Sequence, residues 1–240
     1  MPYQAGLLDG KRALVTGGAQ GIGAAIANEL SRLGAGVTAA DLTRGDGTLD
    51  ESIEVRIADV VSDASVQALM ADLDGLDIVV NCAGIIRRGA EHELAVFEQV
   101  VAVNLSGTMR VCSAARDKLK ATRGCIVNLA SMLSFFGGPL VPGYAASKGG
   151  VVQLTKSLAI AYAADGIRVN AVAPGWIATA LTQALQDDPV RSGPILARTP
   201  LGRWGTPDDV AQVVVFLCTP AAAFVTGVTL PVDGGVSIGF

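Results

Sequence analysis

Histidine is almost missing: His92 is the one copy in 240 residues. A metal site built on imidazoles needs several of them, so that chemistry is excluded. A catalytic role for one His in this context has little support either. Cysteine is sparse. Cys82, Cys112, Cys125 and Cys218 show no CxxC spacing and sit among apolar residues. They read as small buried hydrophobes in a reducing, cytoplasmic setting, not as disulfides or ligands, and no metal is expected. Charge is also scarce, at 17% of residues, with a net charge of −4 and no basic block. That balance argues against a nucleic-acid partner. With 50% of residues apolar, some of the excess is expected to lie at subunit interfaces, in a homo-oligomer. The N-terminal MPYQAGLLDGKR lacks the apolar run of a secretory signal. Two long uncharged stretches, 124–147 and 210–232, are broken by Gly, Pro and polar residues such as Asn128, Ser131, Gln212 and Thr219. They read as core segments, and no membrane partner is expected.

What is present is alternation. Strand-like apolar runs fall at 12–16, 36–40, 53–57, 77–82, 124–130, 167–172 and 227–232. Helix-period segments fall between them, at about 21–34, 63–73, 92–120, 145–164 and 207–218. The pattern predicts an α/β fold: one Rossmann-type, doubly wound parallel sheet of about seven strands, with helices on both faces. No linker or repeat divides residues 1–240. Between Asp41 and Asp59 the chain is short and rich in Gly, Asp and Thr, too short for a full crossover helix. The segment 176–206, with Pro189, Pro194 and Pro200, is expected to form a short-helical lid.

The first strand, ALVTG, runs into GAQGIGAAIANEL, which places Gly17, Gly21 and Gly23 at a strand-to-helix turn. Glycines there let the backbone approach a pyrophosphate, and the helix start offers it N–H groups and a positive dipole end. Asp41 ends the second strand, 18 residues beyond Gly23. A carboxylate there accepts bonds from both adenosine ribose hydroxyls and repels a 2′-phosphate, so the expected cofactor is NAD. Arg44, nearby, is the residue that could instead receive a phosphate.

Tyr144-Ala-Ala-Ser-Lys148 puts a phenol and an ammonium on one face of a helix. A nearby ammonium favours the phenolate. Lowering a phenol pKa from about 10 by three units takes roughly 4 kcal/mol.

Together these motifs make the chain similar to the short-chain dehydrogenase/reductase family over essentially its whole length. The matching pieces are TGGAQGIG (16–23), Asp59-Val60, Asn81-Cys82-Ala83-Gly84, Asn104 in VVAVNLSG, Ser131 in IVNLAS, Tyr144 to Lys148, and Pro174-Gly175. The resemblance implies that Tyr144 is the general acid/base and that Ser131, thirteen residues earlier, bonds the substrate oxygen. Ser134 has the wrong spacing for that role. Lys148 would hold the nicotinamide ribose and lower the phenol pKa, and Asn104 would anchor a proton-relaying water. The turn residues Gly17, Gln20, Gly21, Ile22 and Gly23 would meet the cofactor, as would Asp59, Val60, Asn81, Ala83 and Gly84. Pro174, Gly175, Ile177 and Thr179 would seat its nicotinamide end. Members of the family commonly form tetramers. Cys82, where the family usually carries a second Asn, is a departure away from the reacting centre.

Three stretches, AGIIRR (83–88), ASMLSFFGG (130–138) and RSGPILARTPLGRWGTPDD (191–209), resemble sugar-acid dehydrogenases of the 2-deoxy-D-gluconate 3-dehydrogenase type, which also act on 2-keto-3-deoxy sugar acids. The expected substrate is therefore a small carboxylate-bearing sugar acid. Arg87, Arg88, Arg198 and Arg203 are the candidate carboxylate forks. The competing expectation is an NADPH-dependent 3-oxoacyl-carrier-protein reductase, which shares the same motifs; Asp41 speaks against it.

Overall fold

A computed structural model describes residues 3–239. The chain runs β1 (Arg12–Thr16), α1 (Gly21–Arg32), β2 (Gly36–Asp41), β3 (Glu54–Ile57), α2 (Asp63–Ala71), β4 (Ile78–Asn81), α3 (Leu94–Val101), α4 (Thr108–Thr122), β5 (Cys125–Leu129), α5 (Pro142–Tyr162), β6 (Arg168–Pro174), α6 (Gln183–Gln186), α7 (Pro189–Ala197), α8 (Pro207–Cys218) and β7 (Thr229–Val232). The seven strands form one sheet in the order β3-β2-β1-β4-β5-β6-β7, and every pair is parallel. The order reverses between β1 and β4, which opens a crevice at their C-terminal ends, where such sheets bind ligands.

Strand alternation divides the core. Ala13 and Val15 of β1, with Ile78, Val80 and Val127, face α1 and α8. Leu14, Val79 and Ile126 point the other way, toward α2, α4 and α5. In α1 the spacing of Ile26, Ala27 and Leu30 makes one apolar stripe, and all three are buried. Cutting Leu30 to Ala costs about 2–5 kcal/mol by cavity formation.

The predicted helix over 92–120 is helical from Leu94 to Thr122, with a π turn at Ala102–Gly107 between α3 and α4 and a 3₁₀ turn at Ala90–His92 before it. Two tertiary demands account for the π turn. Asn104 reaches across to the backbone of Ile85. At Gly107 a Cβ would lie 2.8 Å from the Val60 side chain. A π turn of this kind inserts a residue without ending the helix.

The connection 42–53 carries no helix, as the short spacing predicts. It is held instead by Asn28, whose Nδ2 donates to the Thr48 carbonyl and whose Oδ1 accepts from Asp50 N–H, both at 2.9 Å. Gly45, with φ +92°, lies so close to the Ala19 carbonyl that a Cβ would fall 2.0 Å from it. The connection thus presses directly on the turn after β1. Segment 176–206 forms the short helices α6 and α7. Its base is closed where Gly205 N–H donates to Trp176 O at 2.9 Å and Ala178 N–H to Gly205 O at 2.8 Å. Trp176 and Trp204 meet edge to face there, 5.9 Å between centroids. Among the described residues no helix is long and apolar enough to cross a membrane.

Candidate active site

The crevice beside β1 begins with a turn only glycine can make. Gly17 has φ +62°, and a Cβ there would sit 2.6 Å from Ala83 N; at Gly23 a Cβ would sit 2.0 Å from the Gly17 carbonyl. Gln20, at the N-cap of α1, makes no side-chain bond to the helix start. The first-turn N–H groups are therefore left facing the crevice for an anion. Asp41 stands over the same turn: its Oδ2 accepts from Ala19 N–H at 3.2 Å and its Oδ1 from Leu42 N–H at 2.7 Å. Asp59 turns its carboxylate to Val61 N–H at 3.0 Å, at the end of β3. Thr179 approaches Gly21, with its Cγ2 3.9 Å from where a Cβ would be. This brings the segment after Pro174 and Gly175 over the start of α1. A cradle of bare backbone, an open helix start and a strand-end carboxylate fit a dinucleotide.

The Asn81 side chain points into the core. It is buried and donates to Asn128 Oδ1 at 2.9 Å, and Asn128 in turn donates to Thr155 Oγ1 at 2.9 Å. That network ties β4 and β5 to α5. The side chain is committed to it, and what faces the crevice is the backbone that follows, Cys82 to Gly84.

Ser131, Tyr144 and Lys148 come together beyond the end of β5. Ser131 caps a 3₁₀ turn at Met132–Ser134, its Oγ accepting from Leu133 N–H at 3.2 Å. Ser134 is a brace: its Oγ accepts from Ser131 N–H at 3.2 Å and donates to the Lys148 carbonyl at 2.8 Å. The turn that carries Ser131 is thereby fixed to the helix that carries Tyr144. Pro142 starts α5 at its first position, where a missing N–H costs nothing. Tyr144 and Lys148 lie one turn apart on it. Lys148 is buried, its Nζ donating to the Leu129 carbonyl at 2.6 Å and standing 5.7 Å from the Tyr144 ring centroid. Gly84 borders this corner; a Cβ there would lie 3.6 Å from Nζ.

The electrostatics differ from the expected acidified phenol. Burial pushes the Tyr144 phenol above its ordinary pKa, and the Glu91 carboxylate adds to the rise; the Ser131 hydroxyl and the Arg88 charge pull it down. Lys148 is not among the charges that move it. Burial also lowers the Lys148 ammonium to about 8, and the Cys82 thiol beside it is pushed up to about 12. Desolvation outweighs the single pairwise attraction at this corner.

Asn104 is fully buried in the π turn. Its Oδ1 accepts from Ile85 N–H at 2.8 Å, and its Nδ2 donates to Ile85 O at 2.9 Å and to Ser147 Oγ at 3.0 Å. The four arginines separate. Arg203 is held by Asp209 through two bonds of 2.7 and 2.9 Å, so it serves the start of α8 and is not a free fork. Arg198 is exposed at the end of α7. Arg87 bends back to the Ile86 carbonyl at 3.3 Å. Arg88 is the one whose charge is felt by Tyr144. One residue was not foreseen: Glu91, 1% exposed and bonded to two backbone N–H groups of this site. Its burial had no signal in a sequence where it sits beside His92 and Glu93. Among the described residues no cluster of three or more His, Cys, Asp or Glu could hold a metal.

A parallel sheet with this order, a glycine cradle at its crevice and a Ser-Tyr-Lys corner define a nicotinamide-dependent alcohol/ketone oxidoreductase. The chain belongs to the short-chain dehydrogenase/reductase family: a family model described as enoyl-(acyl carrier protein) reductase matches residues 17–237. It is 41% identical to the 2-dehydro-3-deoxy-D-gluconate 5-dehydrogenase of Bacillus subtilis, over 95% of each chain. It is 37% identical to a 3-oxoacyl-[acyl-carrier-protein] reductase of Vibrio harveyi, over 95% of this chain and 98% of that one. The crystal structure of an Agrobacterium tumefaciens protein described as a 2-deoxy-D-gluconate 3-dehydrogenase, with NADP bound, superposes with a TM-score of 0.90 at 42% identity, covering 97% and 99% of the two chains.

Proposed function

We propose that this protein is an NAD-dependent dehydrogenase that interconverts a secondary alcohol and a ketone on a deoxy or 2-keto-3-deoxy sugar acid. The observation that carries the reading is the meeting at Tyr144 of the Ser131 hydroxyl, which hydrogen-bonds it, and Lys148, which stands over its ring beside Gly84. Bound there, the dinucleotide supplies the carbon that accepts or returns the hydride. Tyr144 exchanges the proton of the substrate hydroxyl, and Ser131 Oγ steadies the oxygen as its charge changes. Lys148 would hold the ribose next to the nicotinamide when the dinucleotide is bound, and Asn104 holds the Ile85 backbone at the crevice wall. Segment 176–206 acts as the lid that excludes water.

The sugar-acid substrate rests on the Bacillus relative and on Arg88, whose charge lies near Tyr144. NAD is favoured by Asp41, because a carboxylate bonded to the turn leaves a 2′-phosphate facing negative charge. The NADP held by the Agrobacterium structure supports the opposite choice, with Arg44 exposed near the strand end. The Vibrio relative favours acyl-carrier-protein reduction, which Asp41 opposes. One assay separates these readings. Initial rates are measured at the reduced-nicotinamide absorbance, with NAD and NADP in parallel, on deoxygluconate, 2-keto-3-deoxygluconate, neutral polyols and a 3-oxoacyl thioester. Turnover of an acid with NAD is expected; turnover of the thioester or neutral alcohols alone, or a strong preference for NADP, overturns the corresponding part.

A further inference from the structure

We propose that Glu91 is a positioning residue of the reaction, which holds the start of the Tyr144 helix and the arginine-bearing wall of the cleft in one register. The proposal rests on the reading that Tyr144 is the proton-transfer residue.

A carboxylate that is 1% exposed is costly unless it is fully bonded. Glu91 has two backbone partners, one in its own loop and one at the start of α5. Its Oε1 accepts from Arg87 N–H at 2.7 Å, and its Oε2 accepts from Tyr144 N–H at 2.7 Å. The second bond answers a particular need of α5. The N-cap residue is Val141, which offers no side-chain acceptor, so the N–H groups of the first turn lack a local partner. Glu91 supplies it from 53 residues away. Gly143 makes room, since a Cβ there would come within 3.3 Å of Glu91 Oε2 and 3.2 Å of Phe97.

The same two loops are stitched again nearby. Gly89 N–H donates to Leu140 O at 2.8 Å, and the His92 ring Nε2 donates to Pro139 O at 2.8 Å. Those two bonds are at exposed positions; Glu91 is the buried rivet between them. It fixes where the chain turns at Arg87 and Arg88, and it fixes the backbone of Tyr144 itself. It also places a negative charge close to the phenol. The other groups facing Tyr144 are Ser131 from the turn after β5, Arg88 from the same loop as Glu91, and Lys148 from α5.

The test uses the full chain. Glu91→Gln keeps the shape and one acceptor while removing the charge; Glu91→Ala removes both bonds. Both are compared with the parent and with Tyr144→Phe in kcat, KM and pH–rate profile for oxidation of the acid turned over in the panel, and by ¹³Cζ-tyrosine NMR titration, which needs no substrate. Expected for Glu91→Ala is a kcat lower by about tenfold to a hundredfold, the cost of a misplaced reacting group, with the KM for the dinucleotide little changed. Expected for Glu91→Gln is a smaller loss and a Tyr144 titration moved to lower pH. Equal titration of Tyr144 in parent and Glu91→Gln, with kcat unchanged in both variants, overturns the proposal. So does a loss of activity that follows the folded fraction alone. Full activity in Tyr144→Phe overturns the underlying base assignment instead. A measurement on the parent keeps the test open if a variant does not fold: the amide protons of Arg87 and Tyr144 are expected to exchange slowly, and fast exchange at both refutes the bridge.

Discussion

Asn104 grips the backbone of Ile85 from both sides, accepting its N–H at 2.8 Å and donating to its carbonyl at 2.9 Å. The side chain thus does what a neighbouring strand would do for the loop after β4. Substituting Asn104→Ala takes the partner from the N–H and the carbonyl of half-buried Ile85, at up to about 1–3 kcal/mol each. The expected outcome is a clear fall in denaturant midpoint together with weakened dinucleotide binding, read by urea unfolding and by cofactor fluorescence titration. A variant as stable as the parent would show that the clamp is dispensable.

Lys148 makes the fold pH-sensitive. Its ammonium sits at about 8 against an ordinary 10.5, so the charged form is disfavoured in the folded chain. For a lysine lowered in this way, the penalty is fully present below about pH 8. It fades as the pH rises, because the folded state loses its proton first, and it is gone above the ordinary lysine range. A shift of this size corresponds to on the order of 3 kcal/mol. Lys148→Met is expected to raise the melting temperature at pH 7, with the gain shrinking by pH 10, while abolishing turnover. Calorimetry across that range checks it; a gain independent of pH would point to packing alone.

Asp41→Ser removes the carboxylate that stands over the glycine cradle. The ratio of kcat/KM for NAD over NADP is expected to fall at least about tenfold, since a charge contact of about 1.4 kcal/mol has that effect. Parallel initial-rate measurements with the two dinucleotides decide it, and an unchanged ratio removes Asp41 from the selection.

Gly45→Ala tests the docking of the 42–53 connection. The alanine meets both a positive φ and the Ala19 carbonyl, so the connection must lift from the turn. Weaker cofactor binding with near-parental kcat at saturation is expected, measured by isothermal titration and saturation kinetics. A parental dissociation constant would mean the contact is incidental.

The sheet was legible because its signal is local. The buried runs of β1, β4, β5 and β6, the glycines before α1 and the short 42–53 connection each carry their meaning in adjacent residues. Tyr144 and Lys148 were legible for the same reason, being one helical turn apart. What the sequence hid depends on distant partners. The π turn arises because Asn104 is pulled toward Ile85. Arg203 finds its partner Asp209 only through the capping turn of α8. Glu91 lies in a polar run that gives no sign of burial. Spacing shows the Tyr144–Lys148 pair, whereas the desolvation that pushes the phenol up depends on the surrounding volume.

The composition of the outermost strands, β3 and β7, limits how copies can meet. On one rim, β3 carries Glu54 and Arg56, the latter also paired with Asp72. On the other, β7 carries Pro231, which has no hydrogen to donate. Neither rim is a good template for an added strand. Self-association by extending the ladder is thereby disfavoured, and contact between copies is left to helical and loop surfaces.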